Sequence, residues 1–414
     1  MLGCILPVKI AEGAVSGAKR ISERRREMVT QVRSKAKPRS KALESFHQAT
    51  QTLANPAVRE WKSQGKKVIG YFCSYVPEEI ITAAGFLPFR IRATGSKETT
   101  LGDAYFGINN CTFTRHCLDS AFRGNYNFLD GVVWASTCDH IRRVYDVWKA
   151  KIGGAFLHYL SVPRKVGEPQ AEWYAEELAL FRQSLEKHFS VKISNEALWQ
   201  AIKLHNGTRR LQRRVYELRK LKAPPLTGAE VLAITVASTA MPKKEYNQLL
   251  EQLLGEVSSW EGHSDYRARL MLLGGILDDP AYVEVIEGQG GLVVADMLCF
   301  GSRIMWQDVD EKASDPIAAL ARFHIGTRPS CPRMWGDHPQ RAALAKDMIK
   351  SFQVDGVICS PMKFCDFWGG EAFMLTQDLK RDGVPVLTVE REYLLSAVGQ
   401  LRTRVQAFLE TIER

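Results

Sequence analysis

Short apolar segments rich in β-branched residues alternate with amphipathic segments in two separate parts of the chain, residues 66–165 and residues 267–390. The apolar segments have the length and composition of buried strands, and the segments between them have the spacing and end signals of helices. Strands that alternate with helices in this way predict a parallel, doubly wound sheet covered by helices. We therefore expect an α/β protein built from two copies of one domain.

The same pattern predicts three segments along the chain. Residues 1–64 are predicted to form a helical N-terminal arm, and residues 65–225 a first α/β domain that ends in a long helical connector. Residues 226–414 are predicted to form a second α/β domain with a C-terminal amphipathic helix. The boundary falls in Ala-Pro-Pro-Leu, residues 223–226, because consecutive prolines end a helix.

The composition is that of an ordinary globular protein, with 414 residues of which 45% are hydrophobic and 25% are charged. No apolar run reaches the ~18 residues that a membrane-spanning helix needs. We therefore expect a cytoplasmic protein that does not contact a membrane.

Much of the net charge of +10 lies in residues 9–41, which carry many lysines and arginines. Such a run can contact nucleic acid, a protein or an anionic ligand. No aromatic side chains interleave these charges, as they do where bases stack on a protein. We therefore predict a solvated, partly helical arm and do not expect a nucleic-acid partner.

Nine cysteines are present, an odd number in a chain without a secretion signal, so metal or redox chemistry is favoured over a disulfide framework. Two of them occur in matching contexts, "LDGVVWASTCDH" at residues 129–140 and "VDGVICSPMKFCD" at residues 354–366. Each context has Asp-Gly, a predicted strand, a short break and then Cys-Asp. In parallel sheets, ligands bind at the carboxyl ends of the strands, where these cysteines are expected.

Six cysteines are candidate ligands. Four of them, Cys73, Cys138, Cys299 and Cys365, fall at or just beyond the end of a predicted strand, and Cys111 and Cys331 each lie between a loop and a helix. The strand before Cys299 is predicted to end at that residue, and a Trp-Gly-Gly turn is predicted after Cys365. The first half supplies Cys73, Cys111 and Cys138, and the second half supplies Cys299, Cys331 and Cys365. Three thiolates from one side can hold a cubane [4Fe–4S] cluster with one iron left for another ligand. No Cys-x-x-Cys pair occurs, which disfavours a zinc ribbon. An isolated cysteine is more often a packed small hydrophobe, which is our interpretation of Cys4 and Cys359, and a ligand role for Cys117 is left open.

Three residues near these cysteines are candidates for catalysis. His140 follows Cys138 and is a candidate acid. Glu78 is a candidate proton donor, although an acid at a helix N-terminus also complements the helix dipole. Arg143 is a candidate for binding an anionic substrate, and a surface ion pair is the competing interpretation for it. The same alternatives hold for Arg115, Arg142 and Arg303.

Several motifs together resemble the 2-hydroxyacyl-CoA dehydratase and benzoyl-CoA reductase family, from about residue 60 to the C-terminus. They are "GYFCSYVPEEIITAAGFLPFRI", "VVWASTCDHIRRVYDVW", "ADMLCFGSR", "CPRM", "KFCDFWGGEA" and "VEREYLLSAVGQLRTRVQAFLE". The resemblance implies two flavodoxin-like domains, a helical N-terminal part and an oxygen-sensitive iron–sulfur cluster. It also implies a separate dimeric ATPase that carries its own [4Fe–4S] cluster and injects a low-potential electron.

The chain is most similar to the double-cubane branch of this family, whose homodimeric members hold an [8Fe–9S] cluster on six cysteines of one chain. The six positions named above match that set, and they exceed what a single-cubane subunit needs. The resemblance thus favours a low-potential reductase acting on a small molecule. One alternative is a [4Fe–4S] subunit of an acyl-CoA dehydratase or benzoyl-CoA reductase, paired with a paralogous chain, and another is a non-catalytic electron carrier. The sequence has no glycine-rich P-loop with its lysine, so we expect ATP hydrolysis to belong to the partner.

Overall fold

The computed structural model describes residues 39–413. Most of the predicted basic arm, and Cys4 with it, lies outside the described residues. The described part of the predicted arm, residues 39–64, contains two helices, each capped by a side chain that accepts from a backbone N–H group. Ser40 caps the first helix, and Asn55 caps the second.

The strands are short, and most of them are buried along their whole length. They are β1 Val68–Phe72, β2 Leu87–Arg90, β3 Gly131–Ala135, β4 Leu157–Leu160, β5 Ala268–Leu273, β6 Gly291–Met297, β7 Gly356–Cys359 and β8 Val386–Thr388.

Helices occupy most of the chain between the strands. The helices before β5 are α1 Lys41–Gln51, α2 Pro56–Ser63, α3 Glu78–Ala83, α4 Thr100–Asp103, α5 Thr112–Phe122, α6 Asp139–Val147, α7 Glu168–Phe189, α8 Asn195–Leu218, α9 Gly228–Ala237 and α10 Lys243–Glu256. Those after β5 are α11 Pro280–Glu287, α12 Pro316–Arg322, α13 His338–Ser351, α14 Asp366–Arg381 and α15 Val398–Ile412. Short 3₁₀ turns (Val257–Ser259, Ser302–Ile304) and π turns (Trp148–Ile152, Phe323–Thr327) complete the elements.

The strands form two four-stranded sheets in the orders β2-β1-β3-β4 and β6-β5-β7-β8. Every pairing is parallel. Each sheet therefore has the order second, first, third, fourth in its own half, which is the flavodoxin-like arrangement. The prediction of two doubly wound α/β units is confirmed. The predicted domain boundaries remain a prediction.

The predicted connector consists of the two long helices α7 and α8. Along α7, Leu178, Phe181 and Leu185 are fully buried, because they share one face of the helix. Ser194 caps α8, and Thr227 forms a capping box with Glu230 at the start of α9. Within residues 39–413, no helix has both the length and the apolarity to cross a lipid bilayer.

Two local predictions differ from the structure near the cysteines. The strand expected to reach Cys299 ends two residues earlier, at Met297. The Trp-Gly-Gly stretch after Cys365, expected to be a turn, lies inside α14. Glycine costs a helix only about 1 kcal/mol per residue. Burial of the α14 face that carries Trp368 and Leu375 outweighs this cost.

Candidate metal centre at the facing sheet edges

The carboxyl edges of the two sheets face each other. Arg90, the last residue of β2, donates a 2.5 Å hydrogen bond to the backbone carbonyl of Cys299 in the other half. Arg333, also from the second half, donates to the carbonyls of Ser136 (3.2 Å) and Val162 (3.0 Å), which follow β3 and β4. These buried contacts bring the loops that carry the six predicted ligands into one region of the molecule.

Three of the six cysteines, which we call the helix-cap trio, immediately precede helices. Cys111 precedes α5, Cys138 precedes α6 and Cys365 precedes α14. The sulfur of Cys138 accepts from the backbone N–H of Ile141 at 3.5 Å. The sulfur of Cys111 lies 3.6 Å from that of Met362, in the loop that leads to Cys365. The N-terminus of a helix favours negative charge, so these positions suit thiolates.

The helix-cap trio lies in an apolar setting that disfavours isolated thiolates. Burial raises the pKa of the Cys138 thiol well above its ordinary value, and negative charge on Cys111 and Cys365 raises it further. Burial likewise raises the pKa values of Cys111 and of Cys365. Thiolates at this site therefore need a cationic partner such as iron to offset the lost hydration.

His140 connects the three loops of the helix-cap trio. It lies on α6, two residues after Cys138, and its Nδ1 is 2.9 Å from Oδ1 of Asn110, which directly precedes Cys111. Its Nε2 is 3.3 Å from a carboxylate oxygen of Asp366, which directly follows Cys365. The imidazole thus sits where it can fix the relative positions of all three sulfurs.

The other three cysteines, Cys73, Cys299 and Cys331, gather around Arg303, and we call them the arginine trio. Arg303 is buried and its Nη2 lies 2.9 Å from the sulfur of Cys299. Burial on its own would lower the pKa of Arg303, but negative charge on Cys299, Cys331 and Cys73 raises it above its ordinary value. The backbone N–H of Cys331 donates to the hydroxyl of Tyr75 at 3.3 Å.

Cys73 has a backbone conformation that side chains other than glycine rarely adopt. It follows β1 directly, and its φ is +76°. Its carbonyl accepts from the N–H of Val76 at 3.2 Å, which closes a tight turn before α3. A left-handed non-glycine residue costs on the order of 1 kcal/mol, and such residues concentrate at functional sites.

The two trios interact electrostatically. Negative charge on Cys73 contributes to the raised pKa of Cys138, and charge on Cys331 and Cys299 contributes to that of Cys365. All six predicted ligands therefore belong to one connected group. Each trio, however, draws on both halves of the chain, whereas the sequence suggested one trio from each half. The reason is that the facing sheet edges interleave their loops.

Among residues 39–413, no three His, Cys, Asp or Glu side chains lie close enough together to hold a single metal ion. A cubane cluster makes a different demand, because its thiolates bind different irons and their sulfurs stand apart. This absence concerns single-ion sites within residues 39–413 and does not bear on a cluster.

The remaining cysteines of the described chain are packed in the core. Cys359 is fully buried within β7, and burial raises its pKa to about 12. Cys117 is fully buried in α5 beside Tyr126, and burial raises its pKa well above the ordinary value. Both behave as small hydrophobes, as predicted for Cys359.

The other two catalytic candidates lie in different settings from His140. Glu78 is partly buried, with 13% of its side chain exposed, and it accepts from the hydroxyl of Tyr71 at 2.5 Å and pairs with Nζ of Lys243 at 2.7 Å. Burial favours its neutral form, but the charge of Lys243 outweighs burial and lowers the pKa. Arg143 is 74% exposed on α6 and lies 4.0 Å from Asp146, the arrangement of a surface ion pair. A catalytic role for either residue stays a prediction.

Two buried arginines beside Cys331 were missed by the sequence analysis. Arg333 holds the Cys331 loop against the first sheet, and Arg328 stacks 4.2 Å from the ring centre of Tyr75. The sequence signal that could have identified them is their position within three residues of Cys331, a candidate ligand. A sequence does not tell a buried arginine from an exposed one, since both occur in polar loops.

A cavity of about 380 Å³ opens beside the helix-cap trio. Cys365 and Asp366 form one side of it, and Met362, Phe364 and Phe373 supply apolar surface. Its size is that of pockets that bind small organic molecules. A ligand in this cavity would lie next to the Cys365 position.

Comparison with known proteins adds independent evidence. The family described as "2-hydroxyglutaryl-CoA dehydratase, D-component" matches residues 73–412. A benzoyl-CoA reductase subunit from Thauera aromatica is 28% identical over 364 residues, which cover 86% of this chain and 94% of that protein. The (R)-phenyllactyl-CoA dehydratase beta subunit of Clostridium sporogenes is 24% identical over 89% of this chain and 98% of its own length.

A third relative is the beta subunit of (R)-2-hydroxyglutaryl-CoA dehydratase from Acidaminococcus fermentans. It is 25% identical over 388 residues, 90% of this chain and 99% of that protein. The matched region begins directly after β1 and contains the other seven strands and all six candidate ligands. The chain belongs to the 2-hydroxyglutaryl-CoA dehydratase D-component family.

Proposed function

We propose that this chain is a low-potential iron–sulfur reductase that holds an [8Fe–9S] double-cubane cluster on its two cysteine trios. The observation that supports the proposal is that the six cysteines, drawn from both halves, lie near enough to one another at the facing sheet edges for their charges to shift pKa values within the set. A subunit with a single cubane would use the helix-cap trio and would leave the arginine trio without a purpose.

The described residues suit such a cluster in charge as well as in number. A cluster with six thiolate ligands is negatively charged, and burying it requires nearby cations or hydrogen-bond donors. Arg303 donates to Cys299, and its Nη1 is buried without a hydrogen-bond partner. An unpaired buried guanidinium is costly, so a negative group beside it would stabilise the folded chain.

In this proposal, Cys111, Cys138 and Cys365 hold one half of the cluster, and Cys73, Cys299 and Cys331 hold the other. Bound there, the cluster would supply low-potential electrons to a small molecule. The chain's own part is to bury the ligands, to exclude water from the sheet edges and to position the substrate in the cavity beside Cys365. Asp366 and Glu390 line that cavity and can hold a proton, and His140 lies behind Asp366, 3.3 Å from its carboxylate.

The electrons are proposed to come from a separate dimeric ATPase with its own [4Fe–4S] cluster. Support comes from the lack of a P-loop lysine motif in the sequence, together with the family membership. We expect that ATP alone does not reduce the anaerobically purified chain, and that adding the activator with ATP does. Reduction of the cluster by the chain and ATP without an activator would contradict this part of the proposal.

A second function is favoured by the relatives, which are named as subunits of a benzoyl-CoA reductase and of acyl-CoA dehydratases. In this version the helix-cap trio holds one [4Fe–4S] cluster, the cavity beside Cys365 takes the acyl part of an acyl-CoA, and a paralogous chain completes the enzyme. The first proposal instead expects a homodimer and a substrate without CoA.

The two versions differ in measurable ways. The molar mass of the purified chain, measured by light scattering, distinguishes a homodimer from a monomer that requires a different subunit for assembly. Calorimetry with benzoyl-CoA and with 2-hydroxyglutaryl-CoA tests acyl-CoA binding. Saturable binding of either acyl-CoA, with a chain that dimerises only with a paralogue, would favour the second version and contradict the first.

A further inference from the structure

A small internal cavity lies behind the turn that follows Cys73, enclosed by α3, α8 and the π turn Phe323–Thr327. Its volume is about 40 Å³, enough for one or two waters or one small ion. It is distinct from the cavity beside Cys365, with which it shares no lining residue. Acyl-CoA, or any other large substrate, does not fit in it.

The wall formed by α3 and α8 is polar but already paired. Glu78 has Tyr71 and Lys243 as partners, as described above. Glu79 forms an ion pair with Arg209. The carboxylates on this side therefore need no further cation.

The opposite wall holds polar groups that have no hydrogen-bond partner among residues 39–413. They are the hydroxyl of Ser74, which can donate, and the neutral imidazole of His324, which has one N–H donor and one acceptor nitrogen. The backbone of Ser74 lies beside the His324 ring, but not at hydrogen-bonding geometry. Both side chains are more than nine-tenths buried, and both line the cavity. An unsatisfied buried donor destabilises the folded chain, so a ligand with acceptor atoms would be stabilising.

Arg328 adds a positive charge to this wall. It is 5% exposed, and the single hydrogen bond of its side chain among residues 39–413 runs from Nε to the carbonyl of His324 at 3.4 Å. Its terminal amino groups have no acceptor within those residues. Arg328, Arg209 and Lys243 thus face the two carboxylates of Glu78 and Glu79, which leaves one positive charge in excess. The histidines add none, since burial lowers the pKa of His324 and that of His205 well below the ordinary value.

We propose that this cavity binds a small monovalent anion through Ser74, His324 and Arg328. The guanidinium of Arg328 selects an anion, to which the Ser74 hydroxyl and the one imidazole N–H can donate, and the volume limits it to an ion of a few heavy atoms, such as a halide or a small oxyanion. The bound anion would neutralise Arg328 and would sit directly behind the strained turn at Cys73.

Bromide is a suitable probe, because its anomalous scattering marks its position in a crystal. We expect crystals of the full-length, anaerobically purified chain grown in sodium bromide to show one anomalous peak in the cavity, within hydrogen-bonding distance of Arg328 and His324. In solution, added bromide at constant ionic strength should raise the unfolding temperature of the chain. This increase should level off at high bromide concentration.

Two variants and a control test whether His324 and Arg328 bind the bromide. His324→Phe keeps the size of the ring and removes both unpaired nitrogens, so it should fold and should weaken bromide binding about tenfold or more. Arg328→Gln should abolish binding, although it also removes the stacking on Tyr75. Arg210→Gln alters an exposed arginine paired with Asp308 and should leave binding unchanged.

No peak in the wild-type cavity would overturn the proposal, as would a peak that persists in both His324→Phe and Arg328→Gln. If Arg328→Gln does not fold, His324→Phe alone gives the answer. A bromide peak near the cysteines would report on the cluster site and would not count in favour of this cavity.

Discussion

The two cysteine trios carry the same ligand chemistry in opposite surroundings. The helix-cap trio sits at three helix N-termini in an apolar core, where burial raises the pKa values of its thiols. The arginine trio lies on irregular loops around a buried guanidinium. In the helix-cap trio, the helix ends and the contacts of His140 hold the cysteines in place. In the arginine trio, the full positive charge of Arg303 compensates the negative charge of the thiolates. Two halves of one cluster held in this way should differ in electron affinity.

The largest effect is expected from removing one ligand. Cys138→Ala should lose about half of the iron or more, because an open iron site is labile and the remaining thiols favour protonation. Cys299→Ala should do the same for the arginine trio. Iron per chain, measured after anaerobic purification, checks both variants.

Cys359→Ala is the matched control, since Cys359 follows the same Asp-Gly motif but is packed within β7. It should keep the iron and lose about 1 kcal/mol of stability, the scale of a small core truncation. Equal iron in Cys138→Ala and Cys359→Ala would show that the trios are not ligands. Loss of iron from Cys138→Ala but not from Cys299→Ala would reduce the site to the helix-cap trio.

The second prediction tests the charge of the arginine trio. Arg303→Met removes the cation next to Cys299 and should shift a cluster midpoint potential to more negative values by about 60 mV, a tenfold change for a one-electron couple. Arg303→Lys keeps the positive charge, so its midpoint potential should lie close to that of the wild type. The readout is a potentiometric titration followed by electron paramagnetic resonance. Identical midpoint potentials in the wild type and in Arg303→Met would contradict the proposed electrostatic difference between the trios.

His140 offers a test of the rigid placement at the helix-cap trio. His140→Ala removes the contacts with Asn110 and Asp366 and should lower the free energy of unfolding by about 1–2 kcal/mol. Iron should still load, but its release to a chelator should be faster than in the wild type. The exposed His188, changed to Ala, is the control. An unchanged release rate in His140→Ala would mean that the three loops are held without the imidazole.

The alternation of strands and helices was enough to predict the two parallel sheets, because buried parallel strands are apolar throughout and their helices are amphipathic. It was also enough to place six cysteines at the sheet edges. The grouping of the trios was not predictable, since it depends on how the two edges meet. Arg303 was noticed only for its closeness to Cys299. The burial of Arg328 and the unpaired state of His324 are properties of packing, which no local pattern carries.

The smallest effect concerns the helix that follows Cys365. Gly370 lies within α14, and a Cβ there would meet nothing within 4 Å, so Gly370→Ala should raise the free energy of unfolding by about 0.5–1 kcal/mol without changing the iron content. Gly383 also has open space around it but has φ of +78°, so Gly383→Ala should destabilise the chain. Chemical denaturation of both variants checks the pair. If Gly370→Ala were stabilised but lost iron, this would indicate that α14 must flex for the helix-cap trio to bind the cluster.

The central claim is that both trios hold iron in one chain, and a count of iron and acid-labile sulfide tests it most directly. The wild-type chain, purified without oxygen and corrected for protein by amino-acid analysis, should contain about eight irons and about nine sulfides, as a bridged pair of cubanes requires. About four of each would contradict the double-cubane account and would assign the cluster to a single trio.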